Sequence, residues 1–330
     1  MELAWFIFTL ALMMLSMTAC AANSMLWLIA GRKDCRASSA GFAAYFFSVA
    51  LIFFDEYVQV KPSVTSYITT TGLLHPWLEV PLGVFLAGAC FSWLCCRLGI
   101  KTDEKGFWAP LVAFAVIEVL LCPVAGNTTR LRTFSYWSVH DIALIGMIIY
   151  GFWYAKFRAS DAVRLTMRPN RLFYALVLIM ALAVLAEDTY NILVSTPDLR
   201  NPLVREFYWH LTERNLAESV LATVLAIRSM SYVRNVMRVY SHHPAEDDAV
   251  WEDGGAAVDF DARVLRFCDD VGMSAREREV FRLVMRGKDT QGIASELYIS
   301  PGTVKAHLHR IYTKAGVTGR QELISTFWKH

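Results

Sequence analysis

Glu79, Glu118, His140, Asp141, Glu187, Asp188, His210, Glu213, Arg214 and Glu218 stand in or beside stretches of chain that are otherwise apolar. Ionisable side chains in such surroundings mark either pairing or function. Carboxyls outnumber the single Arg, and Tyr136, Trp137, Tyr190, Tyr208 and Trp209 accompany them. Aromatic walls with a few convergent polar groups suit a small-molecule pocket. A carboxylate surplus among aromatic faces suits a cation or an amine. The same groups also fit a proton site, interface residues reaching water, or hydrogen-bonded pairs between helices. In the last case Arg214 bridges to Glu187 or Glu218. Metal and covalent chemistry have no such footing. The seven cysteines lack C-x-x-C pairing, and neither H-E-x-x-H nor G-x-S-x-G occurs. The expectation is a protein that is not an enzyme and holds no cofactor or metal.

The elements that carry these residues read as membrane helices. The chain is 55% hydrophobic with mean hydropathy +0.36. A spanning helix needs about 20 mostly apolar residues. Seven runs qualify, at 3–30, 39–57, 73–97, 107–125, 134–156, 172–194 and 206–229. Met1-Glu2 lacks a basic signal region, so the first run reads as a retained span. Odd-numbered connections hold the clusters Arg32/Lys33/Arg36, Arg97/Lys101/Lys105 and Lys156/Arg158/Arg164/Arg168/Arg171. Even ones hold Lys61, Arg130/Arg132 and Arg200/Arg205. The positive-inside rule then puts the N-terminus outside and the C-terminus in the cytoplasm. On that topology the acids above share the outer half of the bundle.

Composition changes after the last run. Residues 231–258 read as an acidic cytoplasmic linker around "HHPAEDDAVWEDGG", and 259–272 as a short amphipathic helix ending at Gly272. From Met273 the punctuation is that of four short helices. Ser274-x-x-Glu277 is a capping box. Thr290 reads as the cap of a second helix and Ser300-Pro301 as the opening of a third. Thr318-x-x-Gln321 reads as a box for the fourth. This segment has ten Lys and Arg against five Asp and Glu, a surplus suited to phosphate.

The motifs R-E-x-E-V, I-A-x-x-L, I-S-x-x-T-V-K-x-H, I-Y-x-K and G-V-x-x-R-x-E-L follow one another from Arg276 to Leu323. In this the segment resembles the LuxR-type helix-turn-helix domain. The resemblance places Lys305, Ala306 and His309 at base edges. It makes Thr290, Ser300, Thr303, Arg310 and Lys314 phosphate contacts and gives His307 a structural place. Gly292, where the family often has Glu, and Gly302 depart from the pattern. Gly292 is expected to loosen its helix by about 1 kcal/mol.

The sequence therefore predicts an all-α chain. Residues 1–230 form a seven-helix transmembrane sensory bundle in the bacterial cytoplasmic (inner) membrane. Residues 273–330 form a four-helix LuxR-type domain that binds double-stranded promoter DNA as a homodimer. The stimulus would be an extracellular small molecule, cation or proton. Two other readings fit these residues: a transporter with a regulatory DNA-binding tail, and a membrane scaffold whose helical domain binds protein.

Overall fold

A computed structural model of the chain describes residues 2–57, 75–100, 102–123, 129–159, 161–195, 215–241 and 254–329. Those residues form helices and connecting turns, with no strand among them. They divide into two compact units, one of Met1–Ser24, Lys33–Tyr154 and Leu172–Met230, the other of Met25–Arg32, Ala155–Arg171 and Ser231–His330.

The long helices are α1 (Glu2–Ala30), α2 (Lys33–Tyr57), α3 (Pro76–Leu98), α4 (Glu104–Leu121), α5 (Arg130–Phe157), α6 (Asp161–Asp188) and α7 (Leu216–Ser241). Their limits follow local chemistry. Pro76 opens α3, where its missing N–H costs nothing, and Gly99 closes it at φ 65°. Asp103 caps α4 by accepting a bond from the Gly106 N–H. Arg132, in the first turn of α5, donates to the Cys122 and Leu120 carbonyls at the other end of α4, so this cation serves a helix C-terminus.

Among the described residues, six segments are long and apolar enough to cross a membrane: Leu3–Ile29, Lys33–Phe54, Pro76–Leu98, Arg130–Phe157, Asn170–Val194 and Leu216–Met237. The fourth run differs from expectation. As α4 it has 18 residues and carries Glu104, Lys105 and Glu118, which keeps it out of that set. The last long helix, Leu216–Ser241, runs on into the stretch expected to be linker, and residues 206–214 of the expected run lie outside the described residues. After Asp188 the backbone widens into a π-helix over Thr189–Val194. Such turns are uncommon and often accompany function.

The C-terminal helices are α8 (Gly254–Asp270), α9 (Ala275–Met285), α10 (Thr290–Glu296), α11 (Pro301–Ala315) and α12 (Arg320–Lys329). The four expected helices are α9 to α12. Helix α8 begins five residues before the expected 259 and packs on them. Phe260, Val264, Phe267 and Cys268 are buried in one core with Phe281, Ile293, Ile311, Leu323 and Phe327. Phe267 stacks on Phe281 at 5.1 Å, and Phe327 meets both edge-on. Burial pushes the Cys268 thiol up to about 12, which leaves it an inert packing group. Asp261 pairs with Arg282, and Asp269 with Arg278 at 2.8 Å.

Two caps differ from the sequence reading. Asp289, not Thr290, caps α10, accepting from the Gly292 N–H at 2.7 Å. Gly292 thus sits in the first turn, beside the capping carboxylate. A Cβ there would lie 3.0 Å from Asp289 Oδ1. Thr318 bonds Glu322 through both its N–H and its hydroxyl, so Gln321 is not the partner.

The Ser274–Glu277 box forms as expected and gains a third member. Glu277 accepts from the Ser274 N–H and from Lys314 Nζ, each at 2.7 Å. The Lys314 ammonium, and after it the Ser274 N–H, hold this carboxyl down at about 2. The folded value lies below the ordinary 4.5. Its stabilisation is therefore complete above pH ~4.5 and lost as pH falls towards ~2. Glu277→Gln is expected to cost the domain about 2 kcal/mol at neutral pH. It should also flatten the acid limb of a stability–pH curve, measured by urea unfolding. An acid limb as steep as that of the parent would remove Glu277 from this role.

Candidate functional site

Two groups of residues are candidates, and each lies within one unit. The first is the outer face of α11. Ser300 accepts from the Thr303 N–H at 3.0 Å and contacts the Thr303 hydroxyl at 2.8 Å, fixing the first turn. Val304, Leu308 and Ile311 turn into the core. The helical period then leaves Thr303, Lys305, Ala306, His309 and Arg310 exposed. Thr290 is half-buried at the start of α10. In the turn before α11, Tyr298 takes φ 53°, a left-handed value rare for a bulky residue, and is 95% exposed.

The basic surplus is only partly free for an anion. Arg276 bonds the Leu297 carbonyl, and Arg320 bonds those of Val284 and Lys288. Arg278 and Arg282 pair with α8. Lys314, expected at phosphate, bonds the Gly272 carbonyl and Glu277. These five side chains tie helices together. Lys305 and Arg310 remain exposed on α11.

The second group lies in the helical bundle. Glu118 of α4 is 0% exposed, with Oε1 2.6 Å from His140 Nε2 of α5. Tyr136, also buried, and Phe114 surround the imidazole at 5.7 and 5.5 Å between ring centroids. Gly83 of α3 closes the third side. A Cβ at Gly83 would lie 2.5 Å from His140 Nε2 and 3.0 Å from Glu118 Oε1. Three helices thus meet on one carboxyl–imidazole pair, and only glycine permits the approach.

The other expected pocket residues divide. Asp188 is buried and accepts from Asn215 Nδ2 at 2.6 Å, with Asp141 facing it from α5. Glu187 accepts from the Leu216 and Ala217 N–H groups at 3.0 and 2.8 Å, which makes it the cap of α7. Glu79 is half-buried in the first turn of α3, and Glu218 is exposed on α7. His210, Glu213, Arg214, Tyr208 and Trp209 lie outside the described residues. Among the described residues no cluster of His, Cys, Asp and Glu is fit to hold a metal ion. Gly83 and Asn215 escaped the sequence reading. A glycine inside an apolar helix was the available signal for the first.

Residues 271–327 match the model of the bacterial regulatory proteins of the luxR family. The spore germination protein GerE of Bacillus subtilis is 46% identical over 52 residues, which are 16% of this chain and 70% of that protein. This chain belongs to the luxR family. The luxR-family match is confined to the C-terminal unit. The probable transcriptional regulatory protein NarL of Mycobacterium tuberculosis is 45% identical over 53 residues, 16% of this chain and 24% of its own. The monoamine regulon transcriptional regulator of Klebsiella aerogenes is 43% identical over 56 residues, 17% of this chain and 25% of its own. This luxR-family chain thus spans about a quarter of the length of those two relatives. No solved structure matches it.

Proposed function

We propose that the chain is a membrane-tethered one-component transcriptional regulator. Its C-terminal unit binds double-stranded promoter DNA as a homodimer, and its helical bundle senses a condition outside the bacterial cytoplasmic membrane. The observation that carries this reading is the union, in one chain, of a luxR-family domain with helices able to cross a membrane. Lys305, Ala306 and His309 read base edges. Arg310, Thr303, Ser300 and Thr290 contact phosphate. Relatives named as transcriptional regulators support this assignment.

Helix α4 also crosses in this reading, fourth in order, which brings the spans to seven. Its 18 residues lie within the usual 17–25. Glu104 and Lys105 sit in its first turn, where water is near, and Glu118 is paired inside. The cytoplasmic C-terminus follows from the basic odd-numbered connections. The stimulus acts on the layer of Glu118, His140, Asp141 and Asp188. Gly83 is packed hard against the Glu118–His140 pair, which favours a proton over an organic ligand on that side. Tethering lets this stimulus reach DNA without a phosphorelay.

The test is genome-wide DNA occupancy by the intact membrane-embedded protein beside its Lys305→Ala/His309→Ala variant. Each base contact is worth about 1–3 kcal/mol. Discrete peaks are expected for the parent, and their loss in the variant at equal protein level. Peaks that persist in the variant would shift the base-reading role elsewhere. A parent that occupies no site under any condition, yet moves a solute in vesicles, would be a transporter.

A further inference from the structure

Apart from the polar groups around Glu118, His140 and Asp188, a polar contact also joins the first and last long helices, from Asn23 to the middle of α7. Helix α1 buries Thr9, Leu12, Ser16, Ala19 and Asn23, each almost completely. Their spacing alternates three and four, the seven-residue repeat of helices packed side by side. Small residues in such a seam let backbones approach closely. The Thr9 and Ser16 hydroxyls bond carbonyls four residues back in α1 and so hold nothing across the seam. Asn23 differs. Its Nδ2 donates to the Ala19 carbonyl and, at 2.8 Å, to the Ser229 hydroxyl of α7. On the adjoining face of α1, Ser24 and Cys20 meet Ser39 of α2 at 2.6 and 3.4 Å, so α1 is also fastened to its neighbour. Three residues beyond Ser229, Tyr232 of α7 receives the Arg32 guanidinium 5.0 Å from its ring centre.

We propose that Asn23–Ser229, followed by Arg32 on Tyr232, is a latch that holds α7 against α1 and sets the position from which α7 leads to the DNA-binding unit. Helix α7 is the last long helix before the C-terminal helices in the chain, and it runs unbroken from Leu216 to Ser241. A shift at its N-terminus, where Glu187 caps it, is carried along it as a rigid rod. A buried amide in an apolar seam needs its partner. The contact therefore favours one register, and breaking it releases α7 to another. Interhelical bonds of this kind are worth a roughly three- to twenty-fold shift in such an equilibrium. The proposal rests on the regulator reading above, because it concerns how that protein is switched.

The test is promoter occupancy by the full-length protein in cells, normalised to its level in the membrane fraction. The variants are Asn23→Ala, Ser229→Ala, the double Ala variant and the exchange Asn23→Ser/Ser229→Asn. Each single Ala variant is expected to change occupancy at least three-fold in the same direction. The double should change it no further, and the exchange should return it towards the parent. Singles that match the parent, or effects that simply multiply in the double, would overturn the latch. If the singles do not accumulate, Asn23→Cys/Ser229→Cys in a chain with its native cysteines replaced decides. A disulfide there should freeze occupancy against a shift of external pH from 7.5 to 5.5, and reductant should restore the change. Occupancy that still moves with the disulfide closed would overturn the latch and leave the regulator reading intact. A parent without peaks that depend on Lys305 and His309 would instead remove the reading on which it rests.

Discussion

A fragment of residues 273–330 is expected to show no cooperative unfolding transition, whereas 254–330 unfolds in one step. The motif match begins only at residue 271, and α8 precedes it. Yet Phe260, Val264, Phe267 and Cys268 of α8 are buried in the same core as the four helices that follow. Each large apolar side chain buried is worth about 1.5–3 kcal/mol, an upper estimate since unfolded chains bury some surface already. Domains of this size rarely hold more than roughly 3–5 kcal/mol in reserve. Losing α8 also exposes Phe281 and Phe327, both 0% exposed beneath it. Phe267→Ala within 254–330 should cost about 3–5 kcal/mol. Arg282→Ala, which breaks the surface pair with Asp261, should cost about 1 kcal/mol or less. Urea titrations followed by circular dichroism give all three values. A 273–330 fragment that unfolds at the same urea concentration as 254–330 would make α8 an ornament on an independent domain.

What was legible in sequence follows the range of the interaction. Ser274 and Ser300-Pro301 act on backbone groups a few residues away, and the helices they open were legible. Where two adjacent residues can both cap, as Asp289 and Thr290 can, the pattern could not choose, and the structure chose Asp289. Distant partners were not legible. Arg320 bonds the Val284 carbonyl 36 residues away, and Lys314 pairs with Glu277 37 residues away. In sequence both looked like part of a surface surplus. Glu187 shows the same limit in the bundle. Its composition suggested a pocket, but its two backbone partners lie 29 and 30 residues on, at the start of α7. Glu118 and His140 stand out in sequence as ionisable residues within apolar runs. That they meet, with Gly83 against them, depends on three helices packing together, and no local pattern encodes that.

That meeting carries the second large effect. His140→Ala is expected to destabilise the bundle by about 3–5 kcal/mol, because it leaves the Glu118 carboxyl fully buried with nothing beside it. Glu118→Gln keeps a hydrogen-bonding group opposite the imidazole and should cost less. The combination Glu118→Gln/His140→Ala should be more stable than His140→Ala alone, since the orphaned carboxyl is gone. A coupling of that sign is what a direct pair produces and independent sites do not. Gly83→Ala attacks the pair from the third helix. Its new carbon would stand 2.5 Å from Nε2, so the imidazole must leave the carboxyl. It should therefore resemble His140→Ala, although it removes no polar group. Thermal retention of folded protein in bilayer discs measures all four variants. A His140→Ala variant as stable as the parent would mean that the pair contributes nothing to the bundle. A Gly83→Ala variant that is neutral beside a damaged His140→Ala would mean that α3 yields to the added carbon, leaving α4 and α5 to hold the pair alone.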